Sequence, residues 1–423
     1  MLNRDVLVIG AGILGLSSAY HIKRTNPNLK VMLIDQFTGP AQGNTAKCAG
    51  GYRNMLTTDT NIKLSESTIK WFKELQENQK VNIGLYNTGY LYLLSEPEYQ
   101  KRKESLSIME KHGVELKYYD KEDLKIKLPD LKIEQDDEAE QMGLKSIEIG
   151  VQGINCGMVN ADALAKVYER LFLGLGGEIQ YNTTVNKLIL KPRNELGLPG
   201  EPFVWQESEI IGADTTKGRI EATTTIVATG AWSGRLLDAI GVDSYMRPKT
   251  RMIFVFDHQN LRKLINSQGF NNQGKLPMTQ LPDAKIYMKA DLEEGNLWVA
   301  ETSDLGRQYG LEDDPQADEN VYNKNMYYGL IKYFPCFKDI RPVNMWAGQR
   351  AVNNMDQQPI VAPSPGMIYV GAATGNGILK SDALGRTVAA LHNGEPEAVL
   401  FDGKRLRVRD LGIKDRNVGI ERF

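Results

Sequence analysis

Glycines at positions 10, 12 and 15, followed by an aspartate at 35, have the spacing to hold a dinucleotide. In DVLVIGAGILG, residues 5–15, Gly10 supplies a tight turn, Gly12 lets backbone approach a pyrophosphate, and Gly15 lets a helix pack on the preceding strand. The helix start offers free N–H groups to the phosphates, and Asp35 accepts from ribose hydroxyls. Ile13, Leu14 and Gln36 flank these positions and share the expected cradle. A second glycine turn, GAATGNGILKS from Gly371, comes near the other end of the chain. No acidic residue closes a strand after it, and Asp382 falls inside the helix that follows. A second phosphate site is therefore the weaker account, and a far clamp on one cofactor the stronger.

Such turns act only where strands and helices place them. DVLVIG reads as a buried strand, ILGLSSAYHIKR as a helix and KVMLID as a second strand. The stretch 61–79 is amphipathic, Thr88 to Glu96 alternates like a strand, and EYQKRKESLSIMEKHG reads as a charged surface helix closed by Gly113. The acidic run IEQDDEAEQ reads as a solvated loop. NADALAKVYERLFLGLGG is a helix ending in glycines, with a strand after it, and Thr225–Ala228 is a strand that turns at Thr229-Gly230 into another helix. Residues 246–345 hold mostly strand-like pieces and one helix around Val321 to Tyr333. The final block, MIYVGAATGNGILKSDALGRTVAAL, is strand, glycine turn and helix.

Composition narrows the chemistry. At 423 residues with 41% hydrophobic and 25% charged, the chain can bury a large core as about two domains. A net charge of −2 gives no pull toward nucleic acid. The apolar run Val6–Ile9 is too short to span a bilayer, and no secretory signal is read ahead of it, so a cytoplasmic location is expected. Three cysteines without a CxxC pair and four scattered histidines argue against a disulfide framework or a metal centre. Hard chemistry would then fall to an organic cofactor.

With DVLVIGAGILGLSSAY, TTIVATGAWSG, WAGQR and MIYVGAATGNGILKS in that order, the chain resembles the FAD-dependent oxidoreductases of the D-amino-acid oxidase class. It is most similar to the glycine/sarcosine oxidase branch and related dehydrogenases, over about residues 1–400. The resemblance implies an α/β fold: a discontinuous Rossmann-like FAD-binding domain (1–84, 155–245, 341–400) with an inserted, largely antiparallel-sheet substrate domain (85–154, 246–340). A C-terminal arm, 401–423, follows. It also implies cofactor roles: Val185 backbone at the adenine, Ala228, Thr229 and Gly230 along the pyrophosphate side, and Trp232 beside the cofactor. The segment from Asn44 and Thr45 to Met55 would pass along the flavin, with Ala49 and Gly50 packed close. Gly375, Asn376, Gly377, Ile378 and Leu379 would present a helix N-terminus to the flavin's N1–C2=O edge. Its partial positive charge would stabilise the anion formed on reduction.

For the substrate, the resemblance points to Arg350 in WAGQR as a carboxylate anchor, since a guanidinium fork meets a carboxylate bidentately. Tyr287 in KIYMK matches a tyrosine that donates to the same carboxylate, and Arg53 would enter the pocket from the other side. Each has a plainer structural account, as an ion pair or a strand core residue. Cys48 reads as a small packed residue rather than a redox thiol.

Departures from the family pattern carry further expectations. The stretch GQRAVNNMDQQP lacks the cysteine to which monomeric sarcosine oxidases attach FAD, and TAKCAGG lacks the histidine of dimethylglycine dehydrogenase-like relatives. Noncovalent FAD is expected. Trp298 stands where sarcosine oxidases carry an oxygen-activating lysine, which favours a dehydrogenase passing electrons to a quinone, an electron-transfer protein or a dye. Lys380 lies one residue beyond a family lysine position, about 100° round a helix, and is expected to face away. The arm reads as packing on the domain, with a partner or peripheral membrane contact as the alternative. The expected reaction is hydride transfer to flavin N5 from the C–N unit of a small amine acid such as sarcosine, glycine, proline or a D-amino acid. A 2-hydroxy-acid dehydrogenase and a non-catalytic flavoprotein of respiratory-complex assembly are the alternatives.

Overall fold

In the computed structural model, which describes residues 2–303 and 309–421, most strands form two eight-stranded sheets, and two small two-stranded sheets complete the set. In the first, strands Leu2–Ile9, Val31–Ile34, Glu178–Gln180, Gly218–Val227 and Met367–Gly371 run parallel, and Ile360–Ser364 adds an antiparallel edge. Val6, Leu7, Val8 and Ile34 are fully buried, as expected of a sheet covered on both faces.

The two helices that follow the glycine turns, Ile13–Thr25 and Ser381–His392, pack directly on each other. A Cβ on Gly385 would lie 2.2 Å from Ser17 Oγ, and that hydroxyl donates to the Ser381 carbonyl at 2.8 Å. Between the helices His21 meets the buried Asp382 at 2.7 Å, and Arg386 meets the same carboxylate at 2.6 Å. Burial pulls the His21 pKa down against the opposing pull of Asp382, and burial likewise opposes the Asp382 charge, which His21 and Arg386 restore. Removing one member of such a group strands the others without solvent.

The second sheet is almost wholly antiparallel; only strands Tyr90–Ser95 and Met278–Gln280 pair parallel. Its alternation separates two packed faces. Leu91, Leu93, Phe254, Phe256, Met288 and Val299 join one core, whereas Tyr90, Tyr92, Ile253, Met278 and Ala300 turn to the other side. The expected boundary near residue 341 falls before strand Asn344–Asn353, which hydrogen-bonds into this second sheet along its full length.

Several local expectations change. Tyr90–Ser95 is buried at every position rather than alternately, because both faces are covered. The acidic run read as a loop contains a short helix, Asp137–Gln141, capped by Asp136, whose carboxylate also takes Lys332 at 3.0 Å. The α-helix after the second glycine turn begins only at Ser381; residues Ile378–Lys380 form a single 3₁₀ turn. The tail packs on the body: Arg416 meets Asp356 at 2.5 Å, Gln358 donates to the Val418 and Gly419 carbonyls, and Glu421 accepts from Thr57 and Asn61. The last two residues of the expected arm lie outside the described residues.

Candidate active site

One long groove runs from the first glycine turn to the face of the second sheet. At its first end, Gly15 makes the helix–strand approach: a Cβ there would sit 1.8 Å from the Gly10 carbonyl oxygen. Gly15 therefore packs beneath the groove, while Gly10, Gly12, Ile13 and Leu14 line it. Asp35 and Gln36 also line it, and the Asp35 carboxylate accepts from the backbone N–H of Ala11 at 2.6 Å and of Phe37 at 2.8 Å. Burial raises the Asp35 pKa, and those two N–H groups work against the rise. Thr45 Oγ1 accepts from the Ile13 N–H at 3.1 Å, which closes the helix start. Val185, Ala228, Thr229, Gly230 and Trp232 form the opposite wall. The Trp232 indole N–H points outward to Asp313 at 3.2 Å.

Strand Asn344–Asn353 ties the two ends of the groove together. Asn44 Oδ1 accepts from the Gln349 N–H at 2.6 Å, and the Trp346 indole donates to the Lys47 carbonyl at 3.1 Å. These bonds fix the segment carrying Asn44, Thr45, Ala49 and Gly50 against the groove. On the same strand, Asn353 N–H donates to Thr374 Oγ1 at 3.0 Å and the Ala351 carbonyl accepts from Thr374 N–H at 2.9 Å. The second glycine turn, Gly375 to Leu379, lines the groove beside these bonds. Its free N–H groups belong to one 3₁₀ turn, so the charge offered there comes from individual donors more than from a full helix dipole.

Arg350 and Tyr287 converge on this end. Arg350 Nη2 donates to the Thr374 carbonyl at 2.8 Å, and a Cβ on Gly375 would lie 2.9 Å from Arg350 Nε. Burial pushes the Tyr287 phenol up to about 12, Cys48 adds to the rise and Arg350 pulls back, so the hydroxyl stays protonated as a donor. Arg53 lines the same cavity and donates to the Met55 carbonyl and the Tyr92 hydroxyl. Cys48 also borders the groove, and burial raises its thiol pKa, which keeps it protonated.

Other side chains in the cavity were not singled out from the sequence: Tyr90, Tyr92, Arg102, Arg251 and Gln280. The alternation of the two tyrosines in TGYLYLLSE was a usable signal, but the strand partners that give it meaning are distant in sequence. Lys289 was missed as well. It is buried on strand Ile286–Ala290, its ammonium lies 4.0 Å from the Trp298 ring, and burial lowers its pKa. Trp298 itself packs edge-on against Trp346. Lys380 does not border the groove; it is fully buried, with Nζ on Asn61 Oδ1 at 2.6 Å. Among the described residues no cluster of His, Cys, Asp or Glu could hold a metal ion, and no helix is long and apolar enough to cross a membrane.

The family model for FAD dependent oxidoreductases, DAO, matches residues 5–391. The chain belongs to this family. It is 22% identical over 419 residues to the FAD-dependent oxidoreductase domain-containing protein 1 of Xenopus laevis, covering 92% of this chain and 78% of that one. An L-proline dehydrogenase structure from P. horikoshii superposes with a TM-score of 0.74 at 20% identity, covering 93% and 94% of the two chains. Glycine oxidase from Geobacillus kaustophilus gives 0.72 at 19% identity, covering 93% and 96%. These structural likenesses bear on the fold: a parallel dinucleotide sheet joined to a mostly antiparallel substrate sheet.

The groove fits the FAD that the family implies. A Cβ on Gly12 would meet only Thr45 Oγ1, at 3.4 Å, and one on Gly230 would meet nothing within 4 Å. Both glycines thus open onto space that any side chain would fill. Gly10 to Leu14 and Asp35 would hold the dinucleotide end, and the Gly375–Leu379 turn the flavin end.

Proposed function

We propose that the protein oxidises the C–N bond of a small amine-bearing carboxylic acid, with Arg350 and Tyr287 holding the carboxylate. The observation that carries this reading is their convergence: a guanidinium fixed to the Thr374 carbonyl and a protonated phenol from another strand of the same sheet face one cavity at the flavin end of the groove. Bound FAD supplies a hydride acceptor at flavin N5. Arg350 neutralises and orients the carboxylate, Tyr287 donates to it, and the sheet face floored by Ile253, Met278 and Ala300 excludes water. The substrate loses a C–H hydride while its nitrogen lone pair forms the C=N bond, so the amine must reach the cavity unprotonated. Half-buried Cys48 stays a thiol, and no other cysteine borders the groove among the described residues, which supports noncovalent FAD.

Anaerobic addition of N-methyl, D-, cyclic and 2-hydroxy acids tests the reading, because the yellow colour bleaches when a hydride arrives. If none bleaches it, the oxidative reading fails; if only 2-hydroxy acids do, the C–N assignment fails. Acid precipitation should release the colour into the supernatant, and colour in the pellet would mean a covalent link.

Trp298 supports a dehydrogenase that hands electrons to a carrier. Lys289 favours a second reading, an oxidase, since it sets a buried cation directly over that tryptophan. Reoxidation by oxygen and by an artificial dye separates them. Under the dehydrogenase reading Lys289→Met leaves both rates within about twofold; under the oxidase reading it slows the oxygen step alone.

A further inference from the structure

We propose that the cavity holds a second anion subsite, formed by Arg53, Arg102, Tyr90 and Tyr92, and that the preferred substrates are amine-bearing dicarboxylates. The substrate assignment rests on the oxidative reading above; the subsite itself does not. Arg53 donates to the Met55 carbonyl at 2.9 Å and the Tyr92 hydroxyl at 3.0 Å, both uncharged acceptors. Its guanidinium lies 5.8 Å from the Tyr90 ring, and that of Arg102 lies 5.4 Å from the Tyr92 ring. The two rings stack on each other with centroids 5.0 Å apart. Two guanidinium groups therefore rest on one aromatic pair in the cavity wall.

Glu421 of the C-terminal arm acts on Arg53 electrostatically. Its carboxylate, however, accepts from Thr57 and from Asn61 Nδ2. A sunken guanidinium supplied with neutral acceptors is stabilised by an anion that brings its own charge. A substrate whose far end is a methyl group would leave that demand unmet and would bury an apolar group against two cations.

Strand register puts the two ends of the cavity on one sheet face. Tyr287 lies opposite Gln280, and Gln280 lies opposite Tyr92, so Tyr287 and Tyr92 stand two strand spacings apart on one face. Two spacings are roughly 10 Å. That is the separation of the two backbones, and both side chains line the one cavity. Two anchors set apart in this way suit a diacid, with one carboxylate at Arg350 and Tyr287 and the other at Arg53.

The test uses FAD-loaded protein and unreactive acids, with flavin absorbance reporting binding at fixed ionic strength. Succinate and glutarate should bind roughly tenfold or more tightly than propionate. Arg53→Met should bring the diacids down to the propionate level while propionate itself is little changed. Equal binding of mono- and diacids, or a diacid advantage that survives Arg53→Met, overturns the subsite. Anaerobic bleaching then divides the two claims. Bleaching by glycine or sarcosine but not by amino diacids removes the dicarboxylate substrate and leaves C–N oxidation standing. Selective diacid binding without bleaching by any acid keeps the subsite and removes the oxidative reading.

Discussion

The two ends of the groove are built by different means. The dinucleotide end is made of backbone: three glycines within six residues, a helix start and one carboxylate, all from one strand–turn–helix–strand unit. The substrate end is made of side chains distant in sequence: Arg350, Tyr287 and Tyr92 come from separate strands of the second sheet, and Arg53 from the chain just after strand Gly51–Tyr52. A backbone site tolerates almost no change at its glycines. A side-chain site can be rewritten one residue at a time while the first end stays intact.

Gly15→Ala should break that comparison most severely. Its Cβ would fall 1.8 Å from the Gly10 carbonyl oxygen, which is backbone and cannot step aside. Loss of folded, yellow protein is expected on expression, and a normal melting temperature with full flavin content would contradict the packing described. Gly12→Ala provides the contrast, because its Cβ meets only the Thr45 hydroxyl. It should fold as apoprotein but bind FAD at least about tenfold more weakly, since the methyl occupies cofactor space.

At the substrate end, Arg350→Lys keeps the charge and discards the planar fork. A fall in kcat/KM of roughly 100-fold is expected with the flavin still bound, about the value of a charge-assisted pair. Unchanged kinetics would remove Arg350 from the site.

The smallest effect concerns Lys380, which sits behind the second glycine turn. Burial lowers its pKa to about 7 from the model-compound value of 10.5. Between those values the unfolded chain binds a proton that the native chain does not, so stability should rise with pH across that window. The contribution is at most about 1.4 kcal/mol per pH unit and vanishes below the folded pKa, where both states are protonated. Lys380→Met should flatten the rise between pH 7 and 9.5 in urea denaturation; an unaltered slope would mean that Lys380 stays charged.

The same contrast explains what could be read in the sequence. Gly10, Gly12, Gly15 and Asp35 are legible because steric demands on a turn are local. Arg350 and Tyr287 were reached only through resemblance, since nothing near either residue records its partner. Arg102 read as part of a charged surface helix, and only the Tyr92 ring across from it shows that one side of that helix faces a cavity. The Tyr90–Ser95 strand read as half-buried because a period of two cannot report a second covered face. Lys380 lies off the groove, as expected, but in a 3₁₀ turn rather than on the helix, and nothing near it in sequence says that it would be buried on Asn61.

The strand Asn344–Asn353 has a consequence for biosynthesis. It holds the segment at Asn44 against the turn at Thr374, so the groove acquires its far wall only after residues 344–379 have been made. Until residues beyond about 350 have been made, strand Gly218–Val227 has no neighbour at Met367–Gly371 and the first helix has no opposing helix at Ser381–His392. Cofactor loading is thus a step that follows synthesis of the second glycine turn, and the nascent protein must keep its first helix from aggregating until then.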